Sequence, residues 1–204
     1  MLPRYRGDLV QLGGSLPSYL VEEQLNALTK SYQSWFDSAH PRYRKQRGRH
    51  WATYLVLRFS GARLGEVIKI DDTQDINWRE AEIKVRTLKR RKRAFRTVFL
   101  PQQVVTELSR LLAEFPSLRG RLFKVHPRVF RRVFAERATE AGIPRELAHP
   151  HILRHSRAVE LLRAGVPITL VQQLMGHASL TTTAVYLQIH QSEAKRILRE
   201  KGLL

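Results

Sequence analysis

Cysteine is absent from the 204 residues, which excludes disulfides, thiolate nucleophiles and Cys-ligated zinc. Acidic side chains are scarce: Asp and Glu number 18 against 36 Lys and Arg, for a formal net charge of +18. No apolar run approaches the ~18 residues of a membrane span. The opening stretch MLPRYRGDLVQLGG lacks the apolar core of a secretory signal. These absences lead to the expectation of a cytoplasmic protein that does not enter a membrane. What is present is a globular composition, 43% hydrophobic, in a chain long enough for one large domain or two small ones. So large an excess of positive charge raises self-repulsion in the compact state, and it points to a polyanionic partner, nucleic acid first.

The pattern along the chain is mostly helical. Residues 1–17 hold Pro3, Gly13, Gly14 and Pro17 and read as a flexible basic arm. Between Ser18 and about Ser38 the apolar residues Leu20, Val21, Leu25, Leu28, Tyr32, Trp35 and Phe36 recur at three and four, as on one helix face. A basic link, Pro41 to Arg47, follows, then a buried helix over 50–60, a break at Gly61 and a short helix from Arg63 to Val67. Over 81–100 the period changes to two: Ala81, Ile83, Val85 and Thr87, then Phe95, Thr97 and Phe99. Between these runs lies Lys89-Arg90-Arg91-Lys92-Arg93, so the stretch reads as a β-hairpin with a very basic turn. Helices resume over 101–115, 126–141, 153–164 (capped by Gly165), from Pro167 at its first position to Gly176, over 179–189 and over 192–200. The expected fold is mainly α with a small antiparallel β-hairpin or sheet. Its main domain is residues 18–190, and its tail is 191–204.

Four segments carry chemistry-bearing side chains in order: Ser60-Gly61-Ala62-Arg63-Leu64-Gly65-Glu66, His151-Ile152-Leu153-Arg154-His155, Leu174-Met175-Gly176-His177 and Thr181-Thr182-Thr183-Ala184-Val185-Tyr186, with Tyr186 nine residues after His177. Singly, each has an ordinary reading: Tyr186 as a helix tyrosine packed with one edge wet, His177 as a polar cap after Gly176, Arg63 or Arg154 as a surface ion-pair partner. Together, in this order and in so basic a chain, they resemble the catalytic domain of the tyrosine recombinase/integrase family, which includes the Xer recombinases and phage integrases.

The resemblance implies a fold and a mechanism. Tyr186 would attack a DNA phosphodiester, leaving a 3′-phosphotyrosyl intermediate and a free 5′-hydroxyl. Arg63 and Arg154 would clamp the non-bridging oxygens, because guanidinium is always charged and offers a fork of donors. His151 and His177 would also reach the phosphate. A hairpin lysine, Lys89 with Lys92 as the alternative, would protonate the leaving 5′-oxygen. Glu66 would orient Arg63 or a histidine, or else form an i,i+3 surface pair with Arg63. Arg44, Lys45, Arg47, Arg90, Arg91, Lys92 and Arg93 are candidate DNA contacts, although the hairpin run could be only a solvated turn. His149, His151 and His155 invite a zinc reading, but H-E-x-x-H and Cys ligands are both missing, so neither metal nor cofactor is expected. His155 is expected to pack or to bind a phosphate.

The stretch before Arg63 is short for the N-terminal clamp domain that most of the family carries, so the chain resembles the catalytic-domain-only members. The implied partner is double-stranded DNA, with a homo-tetramer assembling on it. The tail, apolar at Ile197, Leu198, Leu203 and Leu204, would dock on a neighbouring subunit or pack on its own chain. The rival readings are a type IB topoisomerase-like relaxing enzyme and a non-catalytic DNA-binding relative.

Overall fold

The computed structural model describes residues 18–87 and 94–176, together with Arg199 and Gly202. The expected arm over 1–17, the basic hairpin turn, the helix over 179–189 and most of the tail lie outside the described residues.

Helix α1 (Glu22–Asp37) buries Leu25, Leu28, Tyr32 and Phe36, the three-and-four spacing seen in the sequence. It starts four residues later than Ser18. The reason is local: the Leu20 N–H donates to Ser156 Oγ at 2.9 Å, and the Val21 N–H donates to Gln24 Oε1 at 3.1 Å. The chain therefore enters extended before it turns.

The expected basic link is a helix. Helix α2 (Pro41–Ser60) takes in all of it, with Pro41 at the first position, where a missing N–H costs nothing. His40 Nδ1 caps it by accepting the Arg42 N–H at 3.3 Å. Charge masks the period here because the arginine stems do the packing: the Arg44 guanidinium lies 4.4 Å from the Phe36 ring centre and that of Arg47 4.7 Å from Trp35. The second half of α2 is buried continuously from Trp51 to Arg58, so this helix is the axle of the fold. Tyr54 stacks on Tyr32 of α1 at 4.2 Å. Gly61 ends α2 in the left-handed region, φ 65°.

After the short α3 (Leu64–Val67) come three antiparallel strands in the order β1-β2-β3. They are β1 (Ile76–Asn77), β2 (Glu82–Thr87) and β3 (Ala94–Phe99). Strand β1, two residues long, is too brief to show an alternation, and the sequence pattern misses it. The β2–β3 hairpin pairs Glu82 with Phe99, Ile83 with Val98 and Val85 with Arg96. Its core face therefore carries Ile83, Val85 and Val98. The alternating run Phe95, Thr97, Phe99 marks the strand but lies on the outer face, where Phe95 and Phe99 are about half exposed.

Helices α4 (Gln102–Glu114), α5 (Pro127–Glu140), α6 (His151–Arg163) and α7 (Ile168–Met175) follow. Pro167 is the N-cap of α7 rather than its first residue, because its ψ of 137° is extended. Helix α6 begins two residues before the expected 153, so His151 opens it. Helices α1, α4 and α6 pack on α2, and α5 on α1. One core cluster spans α1 to the start of α6. A smaller one, Ala158, Val159, Leu162, Val171 and Met175, joins α6 to α7. No helix among the described residues is long and apolar enough to cross a membrane.

Candidate active site

Arg63 is the N-cap of α3, and Glu66 is that helix's third residue. This spacing turns the carboxylate back on the helix start. Glu66 Oε2 accepts the Arg63 N–H at 2.9 Å, and Oε1 accepts from Arg63 Nη1 at 3.2 Å. A second guanidinium arrives from β3: Arg96 donates from Nη2 to Oε2 at 2.7 Å and from Nη1 to Oε1 at 3.2 Å. The Glu66 side chain is 0% exposed, so its pair with Arg63 is not a solvated surface pair. Burial alone would raise the Glu66 carboxyl, but the Arg96 hydrogen bond and charge, with the Arg63 amide and charge, overcome it and hold Glu66 below the usual carboxylate range.

Arg154, one turn into α6, is 3% exposed. A guanidinium so deep needs its donors answered. Nη1 donates to the Gly61 carbonyl at 2.8 Å and Nη2 to the Met175 carbonyl at 2.6 Å. Both acceptors sit at helix C-termini, of α2 and α7, where the partial negative charge favours a cation. Arg96 adds a third such bond, from Nε to the Leu174 carbonyl at 2.8 Å. Two arginines from different elements thus grip consecutive carbonyls at the end of α7. Gly176, the next residue, has φ 66°, and a Cβ there would lie 2.9 Å from Arg96 Nη1. Glycine takes this turn without backbone strain and without pressing on Arg96.

His151 is exposed at the start of α6. It shares a pocket of about 260 Å3 with Arg63, lined also by Arg131 and His149. The His155 ring meets the His151 ring edge-on at 4.7 Å. Burial, with the charges of His151, Arg154 and His149, lowers His155 to about 4, so it is a neutral packing ring at neutral pH. Among the described residues no group of three or more His, Asp or Glu is arranged to hold a metal ion.

Of the residues singled out by sequence, the fold gathers Arg63, Glu66, His151 and Arg154. Arg44, Lys45 and Arg47 lie apart, on the first half of α2. There Arg44 pairs with Glu114 at 2.5 Å and Arg47 donates to the Trp35 carbonyl at 2.6 Å, while Lys45 is exposed. Lys89, Arg90, Arg91, Lys92, Arg93, His177 and Tyr186 lie outside the described residues, though His177 comes only two residues after Met175, the last of α7, in the sequence. Sequence reasoning missed Arg96. Its signal was a charge sharing one strand face with Ala94 and Val98, where a partner must be waiting. Among the described residues the site is a partly recessed cluster of three guanidiniums and one carboxylate beside an open pocket lined by imidazoles, suited to an anion.

Residues 19–193 match the phage integrase family. The tyrosine recombinase XerA of Pyrococcus furiosus is 30% identical over 199 residues, which cover 93% of this chain and 64% of that protein. A crystal structure of XerA recombinase matches with a TM-score of 0.71 at 28% identity, covering 92% of this chain and 66% of that one. XerH site-specific recombinase bound to palindromic difH substrate, a post-cleavage complex, matches with a TM-score of 0.73 at 23% identity, a likeness of fold that covers 90% of this chain and 53% of that one. In each case the chain spans about two thirds of the relative or less.

Proposed function

The chain belongs to the phage integrase family, and from that premise we propose that it is a site-specific DNA recombinase that cuts and rejoins strands through Tyr186. The Tyr186 hydroxyl oxygen attacks the scissile phosphorus, giving up its proton to solvent, and displaces the 5′-oxygen, which takes a proton from Lys89, or from Lys92 in its place. The 3′-phosphotyrosyl ester conserves the bond energy, so the reverse attack by a 5′-hydroxyl rejoins DNA without a nucleotide cofactor. Arg63, Arg154, His151 and His177 stabilise the charge that grows on the non-bridging oxygens. Loss of one such donor costs roughly 3–4 kcal/mol of transition-state stabilisation. Glu66 orients Arg63. The enzyme works on double-stranded DNA in the cytoplasm, as a homo-tetramer assembled on its sites.

The observation that carries this reading is the Arg154 guanidinium. It ties the carbonyl of Gly61, 93 residues away in sequence, to that of Met175, 21 residues away. The segment carrying Arg63, the helix carrying His151 and the stretch leading into His177 therefore meet at one buried cation. The net charge of +18 supports a phosphate backbone as the substrate.

The test is a duplex containing a site selected by the protein from random-sequence DNA, nicked so that cleavage is trapped. A covalent protein–DNA adduct is expected with the wild type and none with Tyr186→Phe. An adduct of equal yield in that variant overturns the assignment of the nucleophile. No adduct from the wild type overturns the recombinase reading itself.

A further inference from the structure

The pocket that Arg63 and His151 share has a second wall. Arg131 from α5 and His149 from the turn before α6 line it, with Pro150 between the two histidines in sequence. Among the described residues, none that lines it is acidic. On α5, Phe130, Val133 and Phe134 are buried, which rotates Arg131 to the exposed side. Its helix neighbours Arg132 and Arg137 are each matched to a carboxylate, Glu136 and Glu140. Among the described residues Arg131 has no carboxylate within ion-pair distance. An unneutralised guanidinium and an imidazole therefore face the same space of about 260 Å3 as Arg63 and His151. Like charges are gathered into a concave site only at a cost in repulsion, which an anion relieves.

We propose that this pocket is a second phosphate subsite, in which Arg131 and His149 bind the DNA phosphate next to the one held by Arg63 and His151. The proposal rests on the recombinase reading for the identity of the strand. Successive phosphates on one strand advance by only about 3.4 Å along the helix axis, so a pocket open beside one phosphate meets its neighbour. The guanidinium fork takes two oxygens of one phosphate, and the His149 ring donates a single hydrogen bond. Neither side chain reads a base. Their work is to fix the register of the strand, so that the scissile phosphorus rather than its neighbour lies before the nucleophile.

The experiment is a cycle between protein and DNA changes, using the full chain and a duplex carrying its selected site. Phosphates flanking the cleavage point are replaced one at a time by uncharged methylphosphonate, and binding is measured for wild type, Arg131→Gln and His149→Ala. Arg131→Gln alone should lower affinity and reduce the slope of log affinity against log salt by about 0.9. The decisive result is at one position. Neutralising the phosphate adjacent to the scissile one should weaken the wild type roughly tenfold, the scale of a charge-assisted hydrogen bond, and weaken Arg131→Gln far less, with a smaller coupling for His149→Ala. At all other phosphates the two penalties should multiply. Multiplying penalties at every position, the adjacent one included, overturn the proposal. Binding reports on the subsite whether or not an adduct forms, so failure here is distinct from failure of the recombinase reading. Arg131 is exposed, and thermal melting should show its variant as stable as wild type.

Discussion

Two arginine-rich regions of this molecule use the same side chain at different depths. Around Glu66, the guanidiniums of Arg96 and Arg154 are buried and donate directed hydrogen bonds to a carboxylate and to helix-end carbonyls. At the corner of α1, α2 and α4, Arg44, Arg47 and Arg110 lie over the rings of Phe36 and Trp35 and remain partly wet. The first arrangement fixes direction to within a hydrogen bond. The second also makes directed bonds, Arg44 to Glu114, Arg47 to the Trp35 carbonyl and Arg110 to Glu107, but its stems cover apolar surface and its charges stay open to water. Position in the sequence does not separate the two kinds. Depth does.

The largest expected effect comes from removing the acid at the centre of the buried region. Glu66→Ala strands Arg63 and Arg96 without their carboxylate and should destabilise the fold by about 3–5 kcal/mol in urea unfolding. A loss below about 1 kcal/mol would equate the cluster with surface pairs and erase the contrast. Next comes the aromatic corner. His50 is buried against Phe130 and Trp35, and burial, with the charge of Arg132, lowers it to about 4. Its folded form resists protonation that the unfolded chain accepts near 6.5. Stability from this group is therefore full above about pH 6.5 and is lost as pH falls toward 4, by on the order of 3 kcal/mol. Melting temperatures across that range should show the fall, and His50→Phe should flatten it. An unaltered pH profile in the variant would place the acid sensitivity elsewhere.

Gly176→Ala tests the other end of the buried region. It forces a left-handed alanine against the Arg96 guanidinium, 2.9 Å away, and should cost roughly 1–2 kcal/mol. If the grip on α7 positions His177, strand cleavage should fall while DNA affinity holds. Equal losses in both would count against that. The smallest effects belong to the wet corner. Arg47→Ala should cost at most about 1 kcal/mol, and Lys45→Ala essentially nothing in stability. If Lys45 meets a phosphate, its loss should still reduce the salt slope of DNA binding by about 0.9. An unchanged slope would remove Lys45 from the interface.

Much of this could be read from the sequence, for reasons that also explain the rest. Helix α1 shows because its buried residues are apolar and evenly spaced. The first half of α2 does not, because arginine stems stand in for apolar side chains and a periodicity count sees only charge. Strand β1 has two residues and no period at all. In the site, Arg63, Glu66, His151 and Arg154 were legible as ordered motifs. Arg96 was not, since its depth depends on which face of β3 meets the core, and the phenylalanines at 95 and 99 advertise the wrong face. The pocket wall at Arg131 is a matter of tertiary placement, and no local pattern marks it.

The hold on α7 has a consequence for how this chain can vary. Arg96 and Arg154 grip the main-chain oxygens of Leu174 and Met175, and every residue type supplies such an oxygen. The grip is therefore blind to side-chain identity at those positions and sensitive to length. One residue inserted in α7 would turn its last carbonyls by about 100° and advance them by about 1.5 Å. Selection acting on this helix should thus forgive exchanges of similar bulk and reject single insertions and deletions, so that α7 serves as a ruler.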